Sequence, residues 1–161
     1  MNQELKADAG QYLTFELRNQ LFGVPIASVR EINRLSEITP VPHTPEFMAG
    51  VINLREKVIP VVNLRQKFGY EKAEATRHSC IIVFEGTNLL TGAIVDAVRG
   101  VINLDAHQIE TSPVNHESGN ASYVIGMGKI EQGLVVLVDA AASLSSDDLS
   151  NFVSEVASKA A

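Results

Sequence analysis

The chain has 161 residues, a formal net charge of −6 and a single cysteine, Cys80. That length gives one domain or two closely joined subdomains with a core large enough to need no staples, and one cysteine excludes an intrachain disulfide and suits a reducing compartment. The acidic balance argues against generic nucleic-acid binding, and nothing approaches the roughly 20 apolar residues of a membrane helix. The polar start MNQELKADAG lacks a signal-peptide core, so the expected location is the cytoplasm.

Residues 1–11 read as a flexible lead-in, and Gln11–Leu17 then alternates as a strand. Arg18-Asn19-Gln20 is a turn, and Leu21–Ile26 restarts an apolar run that Pro25 confines to an edge or ends. Ala27–Ile32 is short and ambiguous. The string Ile38–Pro45 cannot be helical, because each proline removes a donor and pushes its predecessor into extended geometry. Thr44 is a candidate N-cap for one helical turn through Met48, with Pro45 at its first position.

Two Val/Ile-rich runs, Val51–Leu54 and Val58–Leu64, flank the charged Arg55-Glu56-Lys57, which reads as a buried hairpin with Arg55 at its tip. Pro60 inside the second run predicts an edge strand. Glu71–Arg77 is a charged, small-residue linker. Beyond it Cys80–Phe84 and Leu89–Val95 read as strands, Thr111–Ser122 as a polar loop, and Tyr123–Ile130 with Leu134–Asp139 as a second hairpin. Leu149, Phe152, Val153 and Val156 recur at helical spacing behind Ser146-Asp147-Asp148, a capped and acidic first turn.

Shifting the chain by 69 positions lays residues 12–30 over 81–99. Phe15-Glu16 meets Phe84-Glu85, Gly23 meets Gly92, and Val29-Arg30 meets Val98-Arg99; with an insertion in the polar loop, Gly50 meets Gly126 and Val58–Val62 meets Leu134–Val138. This repeat predicts two similar β-units, each closing its edges as a barrel, about a pseudo-twofold axis. The pentapeptide GVINL occurs at both 50–54 and 100–104, but outside that register, so from the sequence the coincidence reads as chance.

Catalytic chemistry is sparse. His43, His78, His107 and His116 have no metal-ligand spacing, and nucleotide-binding and nucleophile-elbow motifs are missing. His78 and Cys80 would share one face of a strand, the one arrangement that suggests a cysteine-dependent enzyme. Against it, Cys80 opens an apolar run, where a free cysteine is usually a small buried hydrophobe. An interaction module remains.

The stretches FGVPIASVREI (22–32), ITPVPHTPEFMAGVINLREKVIPVVNLRQKFG (38–69) and GAIVDAVRGVI (92–102) together resemble the CheW-like domain family, the coupling proteins of bacterial chemotaxis arrays. The resemblance runs from about Tyr12 to the C-terminal helix. It implies a mainly β fold of two five-stranded SH3-like barrels, about 12–70 and 79–145, related by a pseudo-twofold, with a C-terminal helix at about 146–159, all within a single domain 12–161.

It also implies a scaffold with no catalytic activity and no cofactor. Such a scaffold bridges chemoreceptor cytoplasmic tips and the regulatory domain of the histidine kinase CheA, and is recruited to membrane-associated arrays without inserting. A length of 161 residues leaves no room for kinase or receiver domains, so a stand-alone coupling protein is expected. A coupling protein of a pilus or developmental pathway is the alternative.

Carried over by position, Val29, Glu31, Arg55, Val98 and Val101 face the receptor groove and Cys80 borders it. Read from the residues alone, the three valines fit a shared groove and a shared core equally well, and Glu31 could merely pair on the surface. The chain departs from the family pattern at Glu56, where glycine is usual, and at Asn63, where aspartate is usual.

Overall fold

The computed structural model describes residues 7–86, 89–110 and 123–139. The expected C-terminal helix and the polar loop 111–122 lie outside them. The chain is mainly β. In order it forms β1 (Gly10–Leu17), β2 (Gln20–Pro25), a 3-10 turn (Ile26–Ser28), β3 (Val29–Arg34), β4 (Met48–Leu54), β5 (Lys57–Asn63) and a short helix α1 (Leu64–Lys67). Then come β6 (Cys80–Gly86), β7 (Leu89–Val95), β8 (Ala97–Leu104), a second 3-10 turn (Ala106–Gln108), β9 (Ile109–Glu110), β10 (Val124–Ile130) and β11 (Gly133–Val138).

One sheet has the order β8-β1-β2-β11-β10-β9 and the other β3-β6-β7-β5-β4. Under the 69-residue shift β3, β6, β7, β5 and β4 correspond to β8, β1, β2, β11 and β10, so the two sheets repeat each other strand for strand. They do not, however, follow the two halves of the chain. The hairpin β1–β2 completes the sheet of the second half, and β6–β7 completes that of the first.

Irregularities repeat as well. Register shifts fall at Met48/Gly50 and at Val124/Gly126, and again at Val29/Glu31 in β3 and opposite Thr14/Phe15 in β8. The residues bulged out at the latter two include Arg30 and Arg99, and each clips the exchanged hairpin: Arg30 to Glu85 at 3.2 Å, Arg99 to Glu16 at 2.9 Å. Gly50 and Gly126 share a cause too. A Cβ on Gly50 would sit 2.2 Å from the Thr39 carbonyl oxygen, and one on Gly126 3.0 Å from that of Glu110.

Three apolar clusters follow from strand alternation. Leu13, Phe15, Leu17, Ile82, Phe84, Val95 and Val124 fill the space between the sheets; Ile52, Ile59, Val61, Ile81 and Val83 line the concave side of the five-stranded sheet; Tyr12, Leu104, Ile125, Val135 and Leu137 line that of the six-stranded sheet. An aromatic run through Phe15, Phe22, Phe68 and Tyr123 crosses the first cluster and ends in parallel rings 4.2 Å apart.

Several sequence expectations are corrected. Pro60 does not mark an edge strand, because β5 lies between β7 and β4. Its cross-strand partner Val51 spends both backbone groups on Thr39, so Pro60 turns its nitrogen away from β4, toward a β7 ladder that only begins at Val61. Proline is therefore tolerated at a point of β5 where no ladder donor is used.

Thr44 caps no helix: its hydroxyl donates to the Val41 carbonyl at 2.9 Å, and Pro45–Met48 is a single turn. The lead-in is engaged from Ala7, whose N–H donates to the Ile125 carbonyl, and Gly10 already pairs with Leu104. Leu64, read as the end of a strand, instead opens the helix Leu64–Lys67, because Asn63 caps it, its Oδ1 accepting from Gln66 N–H. Asparagine thus supplies a side-chain oxygen cap, as the aspartate expected from the resemblance could.

Candidate functional site

The β4–β5 hairpin closes with the pair Leu54–Lys57, leaving Arg55 and Glu56 as a two-residue turn with φ of 48° and 71°. Two positive φ values are the type I′ geometry that suits the twist of a hairpin. Glu56 therefore keeps the turn that glycine would make, at the cost of a left-handed non-glycine residue. It does not hold Arg55: the Arg55 guanidinium reaches Glu31 instead, Nη2 to Oε2 at 2.8 Å.

That contact is long-range in the sheet. Glu31 is on β3 and Arg55 at the tip beside β4, the strands at opposite edges of the order β3-β6-β7-β5-β4. The sheet curls until the tip meets the far edge. The carboxylate is sheltered (18% exposed side chain) while the guanidinium is largely open (74%), so the pair presents a fixed, solvent-facing cation with free donors.

The other expected site residues gather at the flanks of the inter-sheet cluster. Val29, Val98 and Cys80 are half-buried against it. Val29 stands opposite Phe84 and Val98 opposite Phe15, equivalent places in the repeat. Cys80 lies beside Val98, whose backbone N–H points at the sulfur, and the thiol donates to the His78 carbonyl at 3.3 Å. Val101 is exposed on β8. The six residues thus fall into a polar pair, Glu31–Arg55, three residues packed against the inter-sheet cluster, Val29, Cys80 and Val98, and Val101 apart from them and exposed on β8.

Sequence reasoning passed over Ile32. The exposed large apolar side chains among the described residues are Ile32, Val58, Val101 and Leu134, and these are two repeat-related pairs, Ile32 with Val101 and Val58 with Leu134. Their equivalence was available from the repeat, at a shift of 69 for the first pair and of 76, past the loop insertion, for the second; their exposure was not, because large aliphatic residues in strands normally count as core. Arg65 was also missed. Its guanidinium grips Asp96 with Nε–Oδ1 at 2.8 Å and Nη2–Oδ2 at 2.6 Å, and Asp96 also accepts from the Arg18 amide. Burial alone would raise the Asp96 carboxyl, but the Arg65 fork and the Arg18 N–H outweigh it and hold it below the usual range.

The cysteine–histidine arrangement does not assemble. The His78 ring accepts from Arg77, and burial raises the Cys80 thiol against the smaller, opposite pull of the Val98 N–H, the reverse of what a nucleophile needs. Among the described residues no group of three or more His, Cys, Asp or Glu side chains is placed to hold a metal, and no helix is long and apolar enough to cross a membrane.

Comparison with known proteins places this geometry. The CheW-like domain profile matches residues 11–148. The chain belongs to the CheW-like domain family. The chemotaxis protein CheW of Klebsiella aerogenes is 32% identical over 139 residues, 86% of this chain and 84% of the relative. Protein FrzA of Myxococcus xanthus, more distant, is 26% identical over 117 residues, 73% of this chain and 72% of the relative. The crystal structure of the scaffolding protein TtCheW from Thermoanaerobacter tengcongensis is similar with a TM-score of 0.78 and 33% identity, covering 87% of this chain and 95% of that one. In this member of the CheW-like domain family the hairpin arginine Arg55 has an intramolecular carboxylate partner, Glu31.

Proposed function

We propose that this chain is a non-catalytic chemotaxis scaffold of the cytoplasm, coupling chemoreceptor cytoplasmic tips to the regulatory domain of the histidine kinase CheA at membrane-associated arrays. The observation that carries the reading is Arg55, fixed by Glu31 at a hairpin tip in a chain of the CheW-like family. Val29, Val98 and Val101, with Cys80 beside them, supply the apolar lining, and Glu31–Arg55 the polar anchor. A receptor tip is helical, and a helix docks an apolar stripe into such a groove with an arginine near the centre of the contact.

The test is a pull-down with a receptor cytoplasmic fragment and with the CheA regulatory domain. Binding to both is expected, and Arg55→Glu should lose the receptor; binding to neither overturns the reading. A second reading, prompted by the likeness to protein FrzA, is the same scaffold in another chemosensory pathway, such as a pilus or developmental one. Deleting the gene and scoring swimming separates the two, since only the first predicts a motility defect.

A further inference from the structure

The two copies of GVINL lie outside the repeat register, yet they occupy the same local situation. Each forms part of an edge strand, β4 in one sheet and β8 in the other, and each begins with a glycine of positive φ, 145° at Gly50 and 108° at Gly100, just after a register shift. Their hydrogen-bonding phase is also the same. The β4–β5 turn closes at Leu54–Lys57, so Leu54 and Ile52 face β5 and Val51 turns its N–H and C=O outward. The β1–β2 turn closes at Leu17–Gln20, so Glu16, Thr14 and Tyr12 face β8, as the Glu16 carbonyl confirms by accepting from Asp96 N–H. Gly100 and Ile102 face back, and Val101, opposite Leu13, turns its N–H and C=O outward.

The outward groups of Val51 are satisfied. Thr39 N–H donates to the Val51 carbonyl and Val51 N–H to the Thr39 carbonyl, both at 2.9 Å, so the extended Ile38-Thr39-Pro40 lies along that edge. Among the described residues nothing occupies the corresponding place beside Val101, which is 51% exposed.

Beside this edge the sheet leaves a gap. Where Glu31 and Arg55 bridge the five-stranded sheet, the six-stranded sheet has Gly100 at the place of Glu31 and Glu131-Gln132 at the hairpin tip. Between β8 and that tip lies a cavity of about 840 Å³, lined by Leu21, Ile102, Ile130 and Leu134 with Asn103 and Gln132 among its polar groups. Its charged residues, Glu16 and Arg99, neutralise each other.

We propose that the open edge of β8 is a strand-addition site for a neutral extended segment of a partner protein, of the apolar-Thr-Pro kind that already lies along β4. The backbone of Val101 exchanges two hydrogen bonds with the incoming residue, and the alternate side chains enter the gap beside Ile102 and Leu134. Main-chain bonds of this kind give affinity, while the alternate pockets give selectivity. The paired charges leave the gap without net charge, so it offers a charged occupant no counter-ion, and a proline next to the paired residue limits the ladder to a short bridge, as Pro40 does beside Thr39. This goes beyond the coupling function, although Val101 also belongs to the receptor lining proposed above, and its test requires neither receptor nor kinase.

The test titrates the end-blocked, uncharged peptide Ile38–Pro42 of this chain's own sequence into the 15N-labelled full chain. Saturable shifts at the amides of Val101 and Asn103 are expected. Val101→Pro deletes the outward donor without touching a bond to β1 and should bind about ten-fold more weakly or less, while Val101→Thr should bind as the parent does. Leu134→Glu, which charges the gap and leaves β8 alone, should also lose binding and serves if the proline variant misfolds. Shifts at Thr39 and Val51 instead, meaning displacement of the internal segment, would overturn the proposal. So would silence at about 1 mM peptide, or concentration-dependent shifts of β8 without peptide, which would mean pairing between copies of the chain.

Discussion

Arg55 at the β4–β5 tip and Glu31 on β3 stand at opposite edges of one sheet, yet their charged atoms are 2.8 Å apart. An ion pair this open contributes only roughly 0–1 kcal/mol to stability. Arg55→Ala should therefore leave the circular dichroism spectrum unchanged and move the melting temperature by no more than about 3 °C. A cooperative loss of structure would make Arg55 a structural residue.

Glu56 sits at φ 71° in the adjoining turn position. A left-handed non-glycine residue costs about 1–2 kcal/mol, part of which glycine returns through its freer unfolded chain. Glu56→Gly should stabilise the protein by about 0.5–1 kcal/mol in urea denaturation. Because Arg55 keeps its partner Glu31, receptor binding should not change.

The two GVINL glycines should differ in tolerance. Alanine at Gly50 drives a Cβ to 2.2 Å from the Thr39 carbonyl oxygen, whereas at Gly100 it meets nothing within 4 Å. Gly50→Ala should cost more than about 3 kcal/mol, and Gly100→Ala only the strain of its positive φ, about 1–2 kcal/mol. Equal losses on denaturation would contradict the close approach of Thr39.

Asp96 gives a pH signature. Its carboxyl is held below its ordinary value in the folded chain, so its contribution is fully present above the unfolded pKa, about 3.9, and is lost as pH falls through the folded value. Asp96→Asn should cost about 1–3 kcal/mol at neutral pH and flatten the decline of stability below about pH 4. An unchanged acid limb would show that Asp96 is not responsible for it.

The Cys80 thiol, raised by burial despite the Val98 N–H, should be alkylated more slowly at neutral pH than a free thiol and speed up in denaturant. Fast modification of the folded chain would revive the enzymatic reading.

Local features were legible in the sequence to different depths. Turn residues and alternation marked the β1–β2, β4–β5 and β10–β11 hairpins, and the 69-residue repeat anticipated two equivalent β-units. Strand exchange was not legible, because pairing of β1 with β8 and of β3 with β6 is decided by long-range packing that leaves no local signal. Pro60 misled because proline reports a missing donor, not an edge, and a central strand can spare a donor where one ladder has ended. Thr44-Pro45-Glu46 has helix-start chemistry, but its hydroxyl found a nearer carbonyl at Val41. At the site, Arg55 was visible as a charged turn and Glu31 only through family likeness, since their contact depends on the curl of the whole sheet. Ile32 lay in a stretch that read as ambiguous, and its exposure follows from β3 being an edge strand.

The central claim, that the Glu31–Arg55 surface couples receptor to kinase, is tested most directly by co-sedimentation. Wild-type chain and Arg55→Glu would each be spun with receptor-fragment assemblies, with and without CheA. Wild type should pellet with receptor and bring CheA with it, and the folded variant should stay in the supernatant when receptor alone is offered. If the variant pellets as fully as wild type, or if wild type does not pellet at all, the claim is wrong.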